Sequence, residues 1–106
     1  MRFAQGARKN LRAIHDYISA ADSPERADYV AREIIRAAIA LQEFPERGAY
    51  PQELLMSGNR KYRQVFFKPY RILHRVQGNT VYIAVIADGR RDMASLLARR
   101  LQKRSR

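Results

Sequence analysis

The chain of 106 residues contains no cysteine. That excludes disulfides and thiolate metal sites and suits a reducing compartment, so a cytoplasmic location is expected. No apolar run approaches the ~20 residues that a membrane-spanning helix needs. Arg8, Lys9, Arg12 and Asp16 interrupt the N-terminal stretch where a signal peptide would carry its apolar region, and no membrane partner is expected. Histidine is scarce: His15 and His74 are the only two, and neither is spaced with carboxylates as a metal site requires. No metal and no cofactor is expected. Acidic residues are scarce in one region only. Residues 60–106 hold 13 Lys and Arg against Asp88 and Asp92, whereas residues 1–59 hold 8 of each sign, so the whole net charge of +11 sits in the C-terminal part. Such asymmetry points to an anionic partner: nucleic acid, a nucleoprotein or an acidic protein segment. The bland alternative is a solvated basic tail at Lys103–Arg106.

What is present is a single domain, 1–106, organised around Arg60–Asp92. Lys61–Phe67 reads as an aromatic-rich strand that Lys68-Pro69 breaks. Tyr70–Val76 follows, then a turn at Gln77-Gly78-Asn79, a strong hairpin signal because tight turns need positive φ. Thr80–Ala87 has no polar break from Val81 onward and suits a central strand covered on both faces. Period-two alternation puts Tyr70, Ile72, His74 and Val76 on one face and Arg71, Leu73 and Arg75 on the other. Arg63 joins the Arg71 face if the register allows.

Helical patterns flank this region. Met1–Ala4 reads as a short edge strand. Leu11, Ile14, Tyr17 and Ile18 form an apolar stripe on a helix from about Ala7 to Ala20. Ser23 and Pro24 are a helix cap and first position, and the second helix runs to about Phe44, with Ala27, Val30, Ala31, Ile34, Ala38 and Leu41 inward and Ile35 and Ile39 widening the stripe. Pro45–Asn59 is a loop with a short turn at Glu53–Met56. Asp92 caps a third helix, Met93–Arg104. The expected fold is α+β: an N-terminal antiparallel helical hairpin packed on one face of an antiparallel sheet of three or four strands, then a C-terminal helix. Tyr62, Phe66, Phe67, Tyr70 and Tyr82 alternate with basic residues as base-stacking platforms do, but a buried sheet has the same spacing and is the preferred reading.

Tyr70-Arg71-Ile72-Leu73-His74-Arg75-Val76, a short Gly-Asn turn, an apolar strand and then Asp88-Gly89-Arg90-Arg91-Asp92 together resemble the RelE/ParE toxin superfamily of bacterial toxin–antitoxin operons. The pattern is more similar to the ParE-like branch, where a strand ending in a Gly-Arg-Arg turn is common, and it covers nearly the whole chain. The superfamily's first strand is usually longer than Met1–Ala4. The resemblance implies a type II toxin neutralised by a cognate antitoxin, as a homodimer or as a toxin–antitoxin hetero-oligomer.

The target differs between branches. RelE-like members cut messenger RNA in the ribosome by attack of a ribose 2′-OH on its own phosphate, which needs a proton acceptor, a proton donor and cations. By resemblance, Arg71 and Arg91 take the positions of that branch's two arginines. Its lysine pair meets Arg63 and Val65, and its tyrosine falls on Leu97. Arginine is a poor proton-transfer group, which leaves His74, on an apolar face, and Glu53, with no partner readable from spacing, as candidate bases. The incomplete set favours the ParE-like reading: binding and poisoning of DNA gyrase without covalent chemistry. The alternative is a ribosome-dependent mRNA endonuclease using Arg63, Arg71, His74 and Arg91. A non-toxic basic binding module is a second class. The residues expected to contact target or antitoxin are Arg71, Arg75, Arg90, Arg91, Leu97, Arg100 and Leu101, with an acidic and apolar antitoxin segment covering the basic sheet face or displacing the C-terminal helix. For Arg71 and Arg75 the bland reading is pairing with acids of the helical hairpin. For Arg90 and Arg91 it is a turn held by Asp88 and Asp92.

Overall fold

Two apolar stripes organise the N-terminal part in the computed structural model, which describes residues 1–102. The tail Lys103–Arg106, including the last two residues of the expected third helix, lies outside the described residues. After a short strand β1 (Arg2–Phe3), helix α1 (Gln5–Ala21) and helix α2 (Pro24–Ile39) form the expected antiparallel hairpin. Ser23 accepts a hydrogen bond from the Arg26 amide at 3.0 Å, and Pro24 occupies the first turn, so the second helix starts where its cap predicts. It leaves α-helical geometry earlier than expected. Ala40–Gln42 is a 3-10 turn, which tightens the chain ahead of Pro45. Two stripe residues are misassigned by periodicity: Tyr17 is 73 % exposed and Ile39 51 % exposed, because each lies at the rim of its helix's buried face.

A short helix α3 (Gln52–Leu55) interrupts the following loop, and three strands come next: β2 (Arg63–Phe67), β3 (Tyr70–Gln77) and β4 (Thr80–Asp88). The sheet order is β1-β4-β3-β2. The β2–β3 and β3–β4 pairs are antiparallel, but β1 joins β4 in parallel, so the sheet is mixed where an antiparallel one was expected. The β3–β4 turn is Gly78-Asn79. Only Gly78 takes positive φ (+61°), the pattern of a type II′ turn with glycine first.

The strand β4 carries a feature hidden in its unbroken apolar run. Leu73 pairs with Val85 and His74 with Ile83, so Ala84 is an extra residue, a β-bulge. The bulge switches the face on which alternate residues lie. Val81, Ile83 and Ile86 pack with Ile72 against the hairpin residues Val30, Ile34, Ala38 and Leu41. Val85 and Ala87 pack with Leu73 on the other face, against Met93, Leu96 and Leu97 of helix α4 (Met93–Gln102) and Leu54 of α3. The sheet therefore has a core on each side, and each fully buried Leu or Ile contributes about 1.5–3 kcal/mol.

Candidate functional site

Strand β3 supplies the two faces on which the candidate side chains lie. On the α4 face, Arg71 is only 9 % exposed. Its guanidinium donates to both carboxylate oxygens of Glu53, at 2.7 and 2.9 Å, and its Nε donates to Gln64 Oε1 at 2.8 Å. This is a bidentate, charge-assisted clamp between β3 and α3. The hydrogen bonds from Arg71 hold the Glu53 carboxyl below the usual carboxylate range, against the opposing effect of burial. A carboxylate so stabilised is a weak base, and both of its oxygens already accept from Arg71. Gly89, just past β4, lets the chain cross the Arg71 stem: a Cβ there would stand 2.8 Å from Arg71 Cδ. Arg71 does pair with an acid, but with one on α3 rather than on the hairpin.

On the hairpin face, Arg63 pairs across the ladder with His74, which places it opposite Arg71 and corrects the expectation that it would share the Arg71 face. It donates to Gly48 O and to the Tyr50 hydroxyl, both at 3.1 Å, ion-pairs with Glu46 at 3.3 Å and stacks over the Tyr50 ring. Arg63 thus ties the 46–50 loop to the edge strand. His74 is fully buried and its Nε2 lies 3.2 Å from the Pro45 carbonyl. The carbonyl can only accept, so Nε2 carries the proton and Nδ1 is a lone pair, buried and without a partner among the described residues. Burial pushes the His74 pKa down, assisted by the Arg63 charge and opposed by the bond to Pro45.

A stability effect follows from that shift. A histidine whose folded pKa is depressed favours folding above its unfolded value, about 6.5, and loses that contribution as pH falls through the folded value. Stability is expected to drop by up to about 1.4 kcal/mol per pH unit on acidification below pH 6.5. His74→Gln should flatten this slope in urea unfolding measured between pH 7.5 and 5; an unchanged slope assigns the effect elsewhere.

The remaining candidates divide by exposure. Arg75 is half-buried, stacks over the Tyr82 ring at 4.7 Å and donates to Gln77 Oε1 at 2.6 Å. Arg90 is exposed and forms a fork with Asp88, as the bland reading of that turn expected. That reading is corrected for Asp92, which instead accepts from the Ser95 amide and hydroxyl and so caps α4. Arg91 is exposed at the entrance to α4, and among the described residues no carboxylate lies within ion-pair distance of it. Leu97 is 1 % exposed and belongs to the core, while Leu101 is half-buried. Arg100 turns inward, donating to Asn10 Oδ1 at 3.1 Å and to the carbonyl of the bulged Ala84 at 2.8 Å.

Arg63, Arg71, His74 and Arg91 are consequently not brought together. Two lie on one face, one is clamped on the other, and one stands in a turn beyond the strand. What does converge is a cleft of about 650 Å³ between α3, the start of β2 and α4, where Lys61 and Arg75 border Leu54, Tyr62, Leu97 and Leu101. Beside Arg71, Phe66 is 52 % exposed, so this aromatic is surface and not the core residue that alternation predicts. Among the described residues, no three His, Asp or Glu side chains are grouped to hold a metal ion, and no helix is long and apolar enough to cross a membrane.

The family model described as ParE toxin of type II toxin-antitoxin system, parDE, matches residues 1–93. The chain belongs to the ParE toxin family. A solved structure, the chromosomal ParDE TA system from P. aeruginosa, contains a chain of similar fold, with a TM-score of 0.69 over 82 % of this chain and 91 % of that one at 21 % identity. No curated protein matches this sequence. The ParE match spans β1 to the start of α4, so the Arg71–Glu53 clamp, the Arg90-Arg91 turn and most of the cleft lie within the family region. Sequence reading missed Asn10 and Gly6 on α1 and undervalued Glu53. Their partners lie 18 to 94 residues away along the chain, beyond any spacing rule.

Proposed function

We propose that this ParE-family toxin acts in the cytoplasm by binding DNA gyrase and poisoning it without covalent chemistry of its own, and that a cognate antitoxin neutralises it. The observation that carries this reading is the family match over residues 1–93. The geometry supports binding over cleavage: the base candidates are a buried histidine held by Pro45 and a carboxylate clamped by Arg71. The antitoxin segment docks along the cleft between α3 and α4, its acids meeting Lys61 and Arg75 and its apolar residues meeting Leu54 and Leu101. Arg90, Arg91 and Phe66 form the neighbouring surface offered to the target.

The test is direct. Induced alone in bacteria, the chain is expected to stop DNA synthesis within minutes, before protein synthesis falls, and the purified protein is expected to block supercoiling by gyrase. Adding the antitoxin should restore both. Early failure of protein synthesis, with cleaved messenger RNA in the ribosome, overturns the proposal in favour of the endonuclease reading.

A further inference from the structure

A second cavity, about 420 Å³, opens where β1, the start of α1, β4 and the end of α4 meet. Its lining includes Arg2, Arg75 and Arg100, and among the described residues no acidic residue lines it. The sheet register explains how two of these arrive. Arg2 and Arg75 are both direct cross-strand neighbours of Tyr82, one from each side, so the three share one face. Arg100 reaches the cavity from α4 because Gly6 leaves room for it: a Cβ on Gly6 would stand 2.2 Å from Arg100 Nη2.

Two of the guanidiniums are met by neutral groups. Arg75 is met by the Tyr82 ring and Gln77, and Arg100 by Asn10 and the Ala84 carbonyl. Among the described residues, none of the three has a carboxylate within ion-pair distance. Three like charges facing one cavity repel one another unless an anion sits between them. Two further features point the same way. Tyr62 is 7 % exposed and lines this cavity. Helix α1 begins here without a side-chain cap and with no acid in its first turn, so its first N–H groups remain to be satisfied.

We infer that this cavity is a phosphate-binding site, in which Arg2, Arg75, Arg100 and the Tyr62 hydroxyl hold the phosphate of a nucleotide or of a nucleic-acid backbone at the start of α1. A phosphate presents more acceptor oxygens and more charge than a carboxylate, which suits three guanidinium forks better than one carboxylate does. The volume leaves space for a sugar and a base beside Tyr82. The site shares Arg75 and Tyr62 with the cleft proposed for the antitoxin, but it does not depend on which macromolecule the toxin poisons.

The experiment is calorimetric titration and thermal unfolding of the full chain in chloride buffer of constant ionic strength. The probes are inorganic phosphate, adenosine monophosphate, a short single-stranded oligodeoxynucleotide and acetate. Saturable binding of the phosphate-bearing probes is expected, with Arg75→Gln weakening it about tenfold to a hundredfold, the loss of one charge-assisted hydrogen bond. Arg2→Gln, at the exposed edge, should weaken it as well while leaving the fold intact. Tighter binding of the mononucleotide than of the oligonucleotide assigns a small ligand, and the reverse order assigns a nucleic-acid backbone; both support the site. Acetate binding as tightly as phosphate, responses that chloride alone reproduces, or unchanged binding in both variants overturns it.

Discussion

Glu53→Ala is expected to destabilise the protein by about 2–4 kcal/mol, because it strands the buried Arg71 guanidinium with only Gln64 for company. The figure lies somewhat below that for a fully buried pair, since Glu53 keeps 27 % of its side-chain surface in water. Urea unfolding of Glu53→Ala, Arg71→Met and the double variant measures it. The double variant should lose clearly less than the two single losses added, because removing both partners leaves no unpaired charge. Strict additivity would show that the clamp contributes nothing. The depressed Glu53 pKa gives the same stabilisation a pH signature: it is present above the unfolded carboxyl value and lost as pH falls through the folded one. This result also governs how toxicity data are read. Loss of toxicity in Arg71→Ala would report a loosened α3, whereas Arg90→Ala and Arg91→Ala probe the exposed surface with the fold intact.

Gly48→Ala is expected to cost about 2–4 kcal/mol, combining backbone strain with a collision. Gly48 has φ of +98°, and a Cβ there would stand 2.2 Å from the Gln64 carbonyl oxygen, a backbone atom that cannot swing aside. The neighbouring Ala49 bridges to Gln64, whose amide donates to the Ala49 carbonyl at 2.8 Å. Gly48 also supplies the carbonyl that Arg63 grips. Displacing this loop should therefore disturb Gln64 and, through it, Arg71. Gly58→Ala is the control: φ there is +77°, but none of the described residues lies within 4 Å of the added Cβ. It should cost only about 1–2 kcal/mol of backbone strain. Equal losses for the two variants would mean that the close approach at Gly48 relaxes freely.

Local physical chemistry made much of the fold legible. Ser23 and Pro24 start α2 where a side-chain acceptor and a fixed φ dictate. Gly78 turns the β3–β4 hairpin because a two-residue connection needs positive φ. Alternation along β3 correctly separated Arg71 and Leu73 from Ile72 and His74, since side chains alternate wherever a strand is regular. The pattern of Tyr70 to Asp92 resembled the superfamily, and the family model then placed the chain in its ParE toxin family.

The candidate site was less legible, because its decisive contacts join residues distant in sequence. Glu53 showed no partner by spacing, yet tertiary packing delivers it to Arg71, 18 residues on. The unbroken run from Val81 to Ala87 concealed a bulge, since an all-apolar strand has no polar marks to reveal a change of face. Register, set by the packing of two cores against one sheet, sent Arg63 to the His74 side. Arg100 was expected to contact target or antitoxin, but the Ala84 carbonyl freed by the bulge and Asn10 on α1 draw it inward. The sequence by itself determined which segments are helices and strands and that the C-terminal part is basic, because these depend on neighbours along the chain. Which arginines are clamped, which line the cavity at the start of α1 and which face solvent was decided only by the tertiary structure, because a charge's role depends on what packing brings within a few ångströms of it.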